Sequence, residues 1–363
     1  MSDKKYTFSW RALSKEDSQV YKGIGIILIV FHNFFHLIPP IIGENEFSFS
    51  QSNCQRFTSA MLGSPLDSIH HLFSYFGHYG VQIFIFLSAY GLTRSYLKKE
   101  ISFSRIVFPR LKRLYPSFCL VILVHIVAVS MFNNTGFSYL YLKGYLLKLL
   151  LIANFMPERA LEINGPWWFF SFIIQFYLLF PFLCLLIRRY GLASLLYLSI
   201  FSFLLRLAVN PYLLPYKVNL LHTVFGYLPD FCLGIFFAQA KQIRLSFWQV
   251  FLVIIVFCLG NVFESFWHLN SLSITLLLLL ILQGVSKYIS AAAFTKKVLC
   301  YFGAVSLHLF LIHGFMRPPF LQLAKQHNSW LLNLALAVAF LALSTFIAQC
   351  LLSFEKLLRA RLA

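Results

Sequence analysis

A short polar set interrupts the first long apolar segment of the chain. Residues 21–37 read YKGIGIILIVFHNFFHL, with Lys22 near the beginning and His32, Asn33 and His36 further in. Along a helix, His32 lies about 15 Å from Lys22, near mid-bilayer if Lys22 marks the cytoplasmic edge. An ionisable residue at that depth costs about 3 kcal/mol and usually serves a pathway, a partner or chemistry. Two interpretations stay open here: a catalytic histidine, or a neutral one bonded to a neighbouring helix.

A second candidate site lies in PRLKRLYPS, residues 109–117. Arg110 and Arg113 are three residues apart, so on a helical turn they share one face and can grip a phosphate from two sides. The positive-inside rule also explains basic residues here, but it requires no particular spacing. A phosphate-bearing cytosolic partner is therefore slightly favoured over a topology signal alone, whereas lipid headgroups are the simpler explanation of Lys98 and Lys99.

Other polar side chains in apolar segments have a structural explanation first. Ser88 stands in GVQIFIFLSAYGLTRSYL beside small residues, whose default meaning in a membrane helix is close packing. His308 and His313 are five residues apart, so they lie on different faces of one helix. A lone histidine on such a helix is more often packed than catalytic.

The composition sets the class of protein in which these residues must work. With 59% hydrophobic and only 12% charged residues, the chain is an integral membrane protein, and its continuous apolar runs exclude a porin-like barrel. The net charge of +18 comes from cations between apolar runs, where they set topology, so we expect no nucleic-acid partner. The seven cysteines show no CxxC spacing, so no disulfide framework and no metal site are expected.

The apolar runs predict an all-α polytopic bundle of about ten membrane spans. The spans are approximately 22–38, 79–97, 115–132, 166–187, 192–209, 222–240, 247–265, 271–286, 298–316 and 330–352. We interpret the chain as one membrane domain over 1–363, with the N-terminal segment 1–20 and the tail 353–363 in the cytoplasm. Outer segments are too short for a second domain.

One further run, 140–156, contains Lys143 and Lys148. If this run crossed the membrane, the later basic loops would face outward; if it does not cross, they face the cytoplasm. We therefore interpret it as an interfacial or re-entrant segment, from which both lysines can snorkel to the headgroups.

Six motifs, in order, resemble the acyltransferase family 3 membrane proteins, which include sugar and polysaccharide O-acetyltransferases. They are Lys22-Gly23-Ile24 with His32, GVxxFxxLSxxxLT at 80–93, RLxRLYP at 110–116, W…QFYLLFP at 168–181, PDFxLG at 229–234 and SLxLxLIH at 306–313. The likeness covers most of the chain, and that family also has ten spans.

Two departures from the family pattern bear on mechanism. In the family, the basic residue and the histidine are commonly eleven positions apart and lie on one helical face. Here Lys22 and His32 are ten positions apart, so their directions around the helix axis differ by about 80°. Either a bulge restores the register or Lys22 belongs to the helix start and not to an active pair. Members with WSLSVEEQFYLLFP carry carboxylates where this chain has Ile173 and Ile174, so an acid role there is absent.

The resemblance implies a transfer of an acetyl group from cytosolic acetyl-CoA to a hydroxyl of a cell-envelope carbohydrate, polymeric or lipid-linked, in the bacterial inner membrane. His32 would act as base or nucleophile. Arg110 and Arg113 would hold the CoA phosphates, and Lys22 would bond CoA or orient the histidine. The secondary candidates are Ser88, His36 and His313.

The alternative function is a transporter or flippase of a glycan precursor. Such a protein is expected to have two related halves with interrupted helices, and the sequence shows no such symmetry.

Overall fold

Ten helical regions occupy the ten predicted apolar runs. The computed structural model describes residues 7–97, 102–132, 139–240, 242–327 and 329–362 and is almost entirely helical there. Seven helices are long and apolar enough to cross a membrane, and the bent pair Ala193–Ala208 with Asn210–Tyr216 makes an eighth candidate. Shorter apolar helices, Val224–Gln239 and Phe247–Gly260, lie at the two remaining runs. The predicted polytopic helical bundle is confirmed.

In chain order the elements are β1 (Thr7–Trp10), α1 (Lys15–Phe35), α2 (Gln51–Gly63), α3 (Ser68–Phe76), α4 (Gly80–Tyr96), α5 (Phe103–Phe132), α6 (Tyr139–Leu149), α7 (Trp168–Tyr190), α8 (Ala193–Ala208), α9 (Asn210–Leu213), α10 (Leu228–Gln239), β2 (Ile243–Ser246), α11 (Phe247–Gly260), α12 (Glu264–Trp267), α13 (Asn270–Ala291), α14 (Ala293–Met316), α15 (Pro318–His327) and α16 (Trp330–Leu362). Short 3₁₀ turns connect several of them, including Gly77–Tyr79 between α3 and α4.

Contacts along the chain define two compact units. Unit 1 comprises Met1–Thr93, Leu233–Ser306 and Arg317–Thr345, and unit 2 comprises Arg94–Cys232, Leu307–Met316 and Phe346–Ala363. Lys98 and Lys99, which we assigned to lipid headgroups, lie outside the described residues.

Unit 1 contains a small sheet that the hydropathy pattern did not predict. β1 pairs antiparallel with β2, so that Trp10 stands opposite Ile243. Trp10 is buried and packs edge-on against Phe86 and Phe237 at centroid distances of 5.8 and 4.8 Å. These three aromatic side chains belong to the core cluster of the unit, so the sheet fixes the segment before α1 to α4 and α10.

The backbones of α1 and the α3–α4 junction approach closely because glycine stands at the contact. A Cβ atom added at Gly77 would lie 2.7 Å from the His32 Cβ and 2.9 Å from the Leu28 carbonyl oxygen. A Cβ atom at Gly80 would lie 2.5 Å from the Gly25 carbonyl oxygen. Only glycine fits at both positions, and this packing brings the 3₁₀ turn 77–79 directly onto the last turns of α1.

Unit 2 is built around the aromatic face of α7. Phe176 stacks on Phe231 of α10 at 3.7 Å, and Phe170 stacks on Phe118 of α5 at 3.9 Å. The indole Nε1 of Trp167 donates to the Leu311 carbonyl oxygen at 2.7 Å. Ordered rings on successive turns therefore hold α5, α10 and α14 around one central helix.

The segment 140–156 forms α6, an eleven-residue helix too short to span a bilayer, followed by a turn. This agrees with an interfacial or re-entrant segment. The prediction for one of its lysines is wrong, however: Lys143 is exposed, but Lys148 is fully buried and donates to the Ala160 carbonyl oxygen. Lys148 cannot snorkel because the loop after α6 folds back over it. Burial lowers its pKa from 10.5 to about 7.

Candidate functional site

His32 lies in the last turn of α1 and is buried at 3% exposure. The helix begins at Lys15, where Ser14 and Asp17 form a capping box, and it ends at Phe35. It is regular throughout, without the bulge that would bring Lys22 onto the histidine face. Lys22 is therefore neither at the helix start nor beside His32, since ten residues of regular helix place them about 15 Å apart.

The two ring nitrogens of His32 face different partners. Its Nδ1 lies 3.3 Å from the Phe73 carbonyl oxygen, and its Nε2 lies 3.8 Å from Oε1 of Glu44. Because a carbonyl oxygen only accepts, Nδ1 carries the proton in the neutral ring. We assign Nε2 as the nitrogen with a lone pair, directed toward the Glu44 carboxyl group.

Two further histidines surround the His32 ring. His36, one turn later, stacks on it with centroids 4.6 Å apart and planes 10° from parallel. The Nδ1 of His36 lies 2.7 Å from the His32 carbonyl oxygen, so its Nε2 is also the lone-pair nitrogen. His78, on the 3₁₀ turn held close by Gly77, meets His32 edge-on at 5.3 Å. The close approach of α1 and α4 thus assembles an imidazole cluster.

Glu44 reaches this cluster from the segment after α1. Gly43 adopts a φ of +94°, which turns the chain immediately before it. The amide of Asn53 donates to the Glu44 carbonyl oxygen at 3.0 Å and to Asn45 Oδ1 at 3.0 Å. Trp267 Nε1 donates to the Asn45 carbonyl oxygen at 2.7 Å. These hydrogen bonds fix the backbone carbonyl groups of Glu44 and Asn45, and they thereby restrict the position of the Glu44 carboxyl group.

The Glu44 carboxyl group is mostly buried, with a side chain 14% exposed. Its Oε2 has no hydrogen-bond partner among the described residues. Burial raises the pKa of Glu44 to about 7 and also raises that of neighbouring Glu46. The ligand-capable atoms of His32, His36 and Glu44 all lie within 4.8 Å of one another, close enough to hold a metal ion.

A cation lies at the edge of the same cluster. Arg317, immediately after α14, donates from Nη1 to the carbonyl oxygen of Asn33 at 3.1 Å and to its Oδ1 at 3.2 Å. Asn33 in turn donates to Ile29. Asn33, between His32 and His36 in sequence, therefore contacts an arginine that lies 284 positions further along the chain.

Ser88 lies half-buried on α4, among residues that pack closely. Its neighbour Ala89 approaches Gly234, where an added Cβ would lie 2.7 Å from the Ala89 Cβ. The short distance between Ala89 and Gly234 is the close helix packing that the small residues beside Ser88 predict. Ser88 stays a secondary candidate.

Arg110 and Arg113 belong to unit 2 and lie one turn apart on α5, as their spacing predicted. Arg110 is half-buried and Arg113 is exposed. Pro116, inside the same helix, has no N–H to offer the Lys112 carbonyl oxygen. Arg359 of α16 donates to that oxygen at 3.3 Å and to the Arg113 carbonyl oxygen at 3.1 Å.

His308 and His313 on α14 differ in surroundings. His313 is buried in unit 2, with Nδ1 3.0 Å from the Leu309 carbonyl oxygen of its own helix. His308 Nε2 lies 2.8 Å from Glu355 Oε2, which also accepts from the Ser117 hydroxyl at 2.7 Å. Glu355 further pairs with Arg359, so His308 belongs to a buried ionic network joining α5, α14 and α16.

Sequence reasoning found His32 and His36 but missed three residues that the fold places with them. His78 lies outside the six motifs, although Gly77 beside it is a signal of close helix approach. Glu44 and Arg317 lie far from any motif that we recognised. Two carboxyl groups in GENEF, within a chain of only 12% charged residues, were the available signal for Glu44.

Comparison with known families identifies the class of protein. A family model described as an acyltransferase domain, that of acyltransferase family 3, matches residues 18–352. The match covers nearly the whole chain, so the protein belongs to this family and is a membrane acyltransferase. No curated protein and no solved structure matches it significantly.

Proposed function

We propose that this acyltransferase moves an acetyl group from cytosolic acetyl-CoA to a hydroxyl of a cell-envelope carbohydrate. The observation that carries the proposal is the environment of His32. It is buried, its Nδ1 is tied to a carbonyl oxygen, and its lone-pair Nε2 faces a carboxyl group 3.8 Å away. A neutral imidazole held in one tautomer next to a carboxylate is an arrangement suited to general-base catalysis.

The transfer step follows from these groups. His32 Nε2 takes the proton of the acceptor hydroxyl while the hydroxyl oxygen attacks the thioester carbonyl carbon. The C–S bond breaks, and the CoA thiolate leaves with the proton that the imidazolium returns. The Glu44 carboxylate stabilises the transient imidazolium. Arg317, beside Asn33, supplies positive charge at the edge of the cluster, where a developing oxyanion gains from it.

The donor would be bound through its phosphates by Arg110 and Arg113. Guanidinium groups suit phosphate because they donate two parallel hydrogen bonds. With both termini in the cytoplasm of a bacterial inner membrane, α5 begins on the inner side, where acetyl-CoA is available. The acceptor would be a polymeric or lipid-linked carbohydrate. Lys22, on the inner half of α1 in this threading, would contact the donor and not His32.

His32→Gln tests the proposal directly. Glutamine keeps a donor for the Phe73 carbonyl oxygen but supplies no base. We expect acetyl-CoA-dependent transfer by purified protein to fall at least about a hundredfold, at normal membrane abundance and melting temperature. Mass spectrometry of envelope glycans from deleted and complemented cells should show loss of the same acyl group and identify the acceptor.

His327→Gln is the matched control, because His327 is exposed at the end of α15. It should leave turnover unchanged. Near-normal turnover of His32→Gln would make His32 structural. Lack of acetyl-CoA turnover by well-folded wild-type protein, with another acyl donor accepted, would overturn the donor assignment alone.

A further inference from the structure

His32, His36 and Glu44 each bring one ligand-capable atom within 4.8 Å of the other two. Both imidazoles use Nδ1 on a backbone carbonyl oxygen, His32 on Phe73 and His36 on His32 itself. Both Nε2 atoms are therefore acceptors, as is the Glu44 carboxyl group when it is ionised. The His32 Nε2 and Glu44 Oε1 atoms are 3.8 Å apart in a largely buried position, where a cation would offset the repulsion between facing lone pairs.

We propose that His32 Nε2, His36 Nε2 and the Glu44 carboxylate bind a divalent transition-metal ion, best matched by Zn²⁺. The donor set of two imidazoles and one carboxylate is that of many zinc sites that keep a fourth position open. Tetrahedral Zn²⁺ with bonds of about 2.0–2.1 Å places its ligand atoms about 3.4 Å apart. The His32–Glu44 distance of 3.8 Å already approaches this value.

The surroundings support the ligands as those of metal sites commonly do. Metal-bound histidines generally donate the other ring nitrogen to a carbonyl or carboxylate oxygen, which fixes ring and tautomer. Both histidines have that bond here, and the hydrogen bonds of Asn53 hold the backbone at Glu44. Glu44 Oε2, without a hydrogen-bond partner among the described residues, remains to complete the coordination or to bind a metal-bound water.

A bound ion would use the same Nε2 lone pair of His32 that the proposed function needs for the acceptor proton. Metal binding and general-base catalysis at His32 are therefore mutually exclusive, and Zn²⁺ should inhibit transfer. The binding of metal stands on the geometry alone; only the inhibition rests on the proposed function.

The test uses full-length protein in detergent, stripped with a chelator and titrated with Zn²⁺ by calorimetry. We expect one ion per chain. Glu44→Gln and His36→Gln should each weaken binding at least about tenfold, as the loss of metal-supporting groups does elsewhere. Glu264→Gln, an exposed glutamate on α12, is the control and should bind as wild type does. Co²⁺ should give the strong visible absorption of a four-coordinate ion in wild type and not in Glu44→Gln.

The outcomes separate the two proposals. Equal Zn²⁺ binding by wild type, Glu44→Gln and His36→Gln would mean an adventitious ion only. No binding at all would mean that a proton shared by these side chains takes the place of a metal ion. Either result overturns the proposed metal site. Metal-free wild type that transfers acetyl groups and loses this activity with Zn²⁺ supports both proposals. Activity that requires Zn²⁺ would overturn the inhibition and move the base from His32 to a metal-bound oxygen. Binding without any acyl transfer would refute the proposed function and leave the metal site standing.

Discussion

Gly77→Ala tests whether the contact between α1 and the 3₁₀ turn 77–79 positions His32, the proposed catalytic histidine. The new methyl group would lie 2.7 Å from the His32 Cβ, 2.9 Å from the Leu28 carbonyl oxygen and 3.2 Å from the His32 Cα. Two of these atoms are backbone, so a side-chain rotation cannot relieve the overlap. The 3₁₀ turn 77–79 and α1 must separate, at a cost typical of overpacking, about 1–3 kcal/mol.

The consequence for catalysis should exceed the consequence for folding. Separation of the turn from α1 shifts His32 against the Phe73 carbonyl oxygen that sets its tautomer. A displacement of about 1 Å at a reacting group can reduce the rate about a hundredfold. We expect a lower melting temperature, normal membrane insertion and acetyl transfer reduced by about that factor, measured on purified protein at saturating donor.

Gly284→Ala provides the control, because an added Cβ there meets nothing within 4 Å. Alanine in a helix interior is favoured over glycine by up to about 1 kcal/mol, so this variant should be as stable as wild type or more so, with unchanged turnover. If Gly77→Ala transferred acetyl groups as fast as Gly284→Ala, the close approach would have no part in positioning His32, and the reasoning would be wrong.

Three other expectations concern the donor, the topology and a buried lysine. Arg110→Ala and Arg113→Ala should each weaken acetyl-CoA binding about tenfold to a hundredfold, while exposed Lys112→Ala should not; equal effects of all three would reduce the arginines to topology signals. A single cysteine at Gln242 in a cysteine-depleted variant should resist an impermeant thiol reagent in intact cells and react after permeabilisation; labelling from outside would show that 140–156 crosses. Lys148 has a pKa of about 7 in the folded protein and 10.5 as a free lysine. Between these pH values its side chain is protonated in the unfolded chain and mostly neutral in the folded protein. Melting temperature should therefore rise with pH above 7 in wild type and rise less in Lys148→Met.

The helices were predictable because apolar run length and loop charge act locally along the chain. Each predicted span coincides with a helix, and α6 has the short length that the charge argument required. The β1–β2 pair was not predictable in the same way, since its strands lie more than 200 positions apart and are four residues long. Trp10 supplies the reason for that pair through its burial against Phe86 and Phe237.

The candidate site was predictable only where helical periodicity decides it. His32 and His36 are one turn apart, so their stacking follows from the spacing. Glu44 joins them only because Gly43 turns the chain and Asn53 holds the returning backbone. The prediction that Lys148 snorkels was wrong for a related reason. A lysine on a short helix snorkels when water is within reach, and the loop that covers this one is invisible to a hydropathy pattern.

The RLxRLYP motif, for which we propose donor binding, also makes structural contacts. Pro116 removes the hydrogen bond that Lys112 would receive, and Arg359 replaces it with a guanidinium donor. The Tyr115 hydroxyl donates to the Leu149 carbonyl oxygen at the end of α6. These contacts fix the backbone of the turn through its carbonyl groups while the Arg113 side chain stays exposed. The packing contacts of this motif therefore use backbone atoms, whereas the proposed phosphate binding would use the arginine side chains. Side-chain variants of these arginines can test donor binding separately from packing.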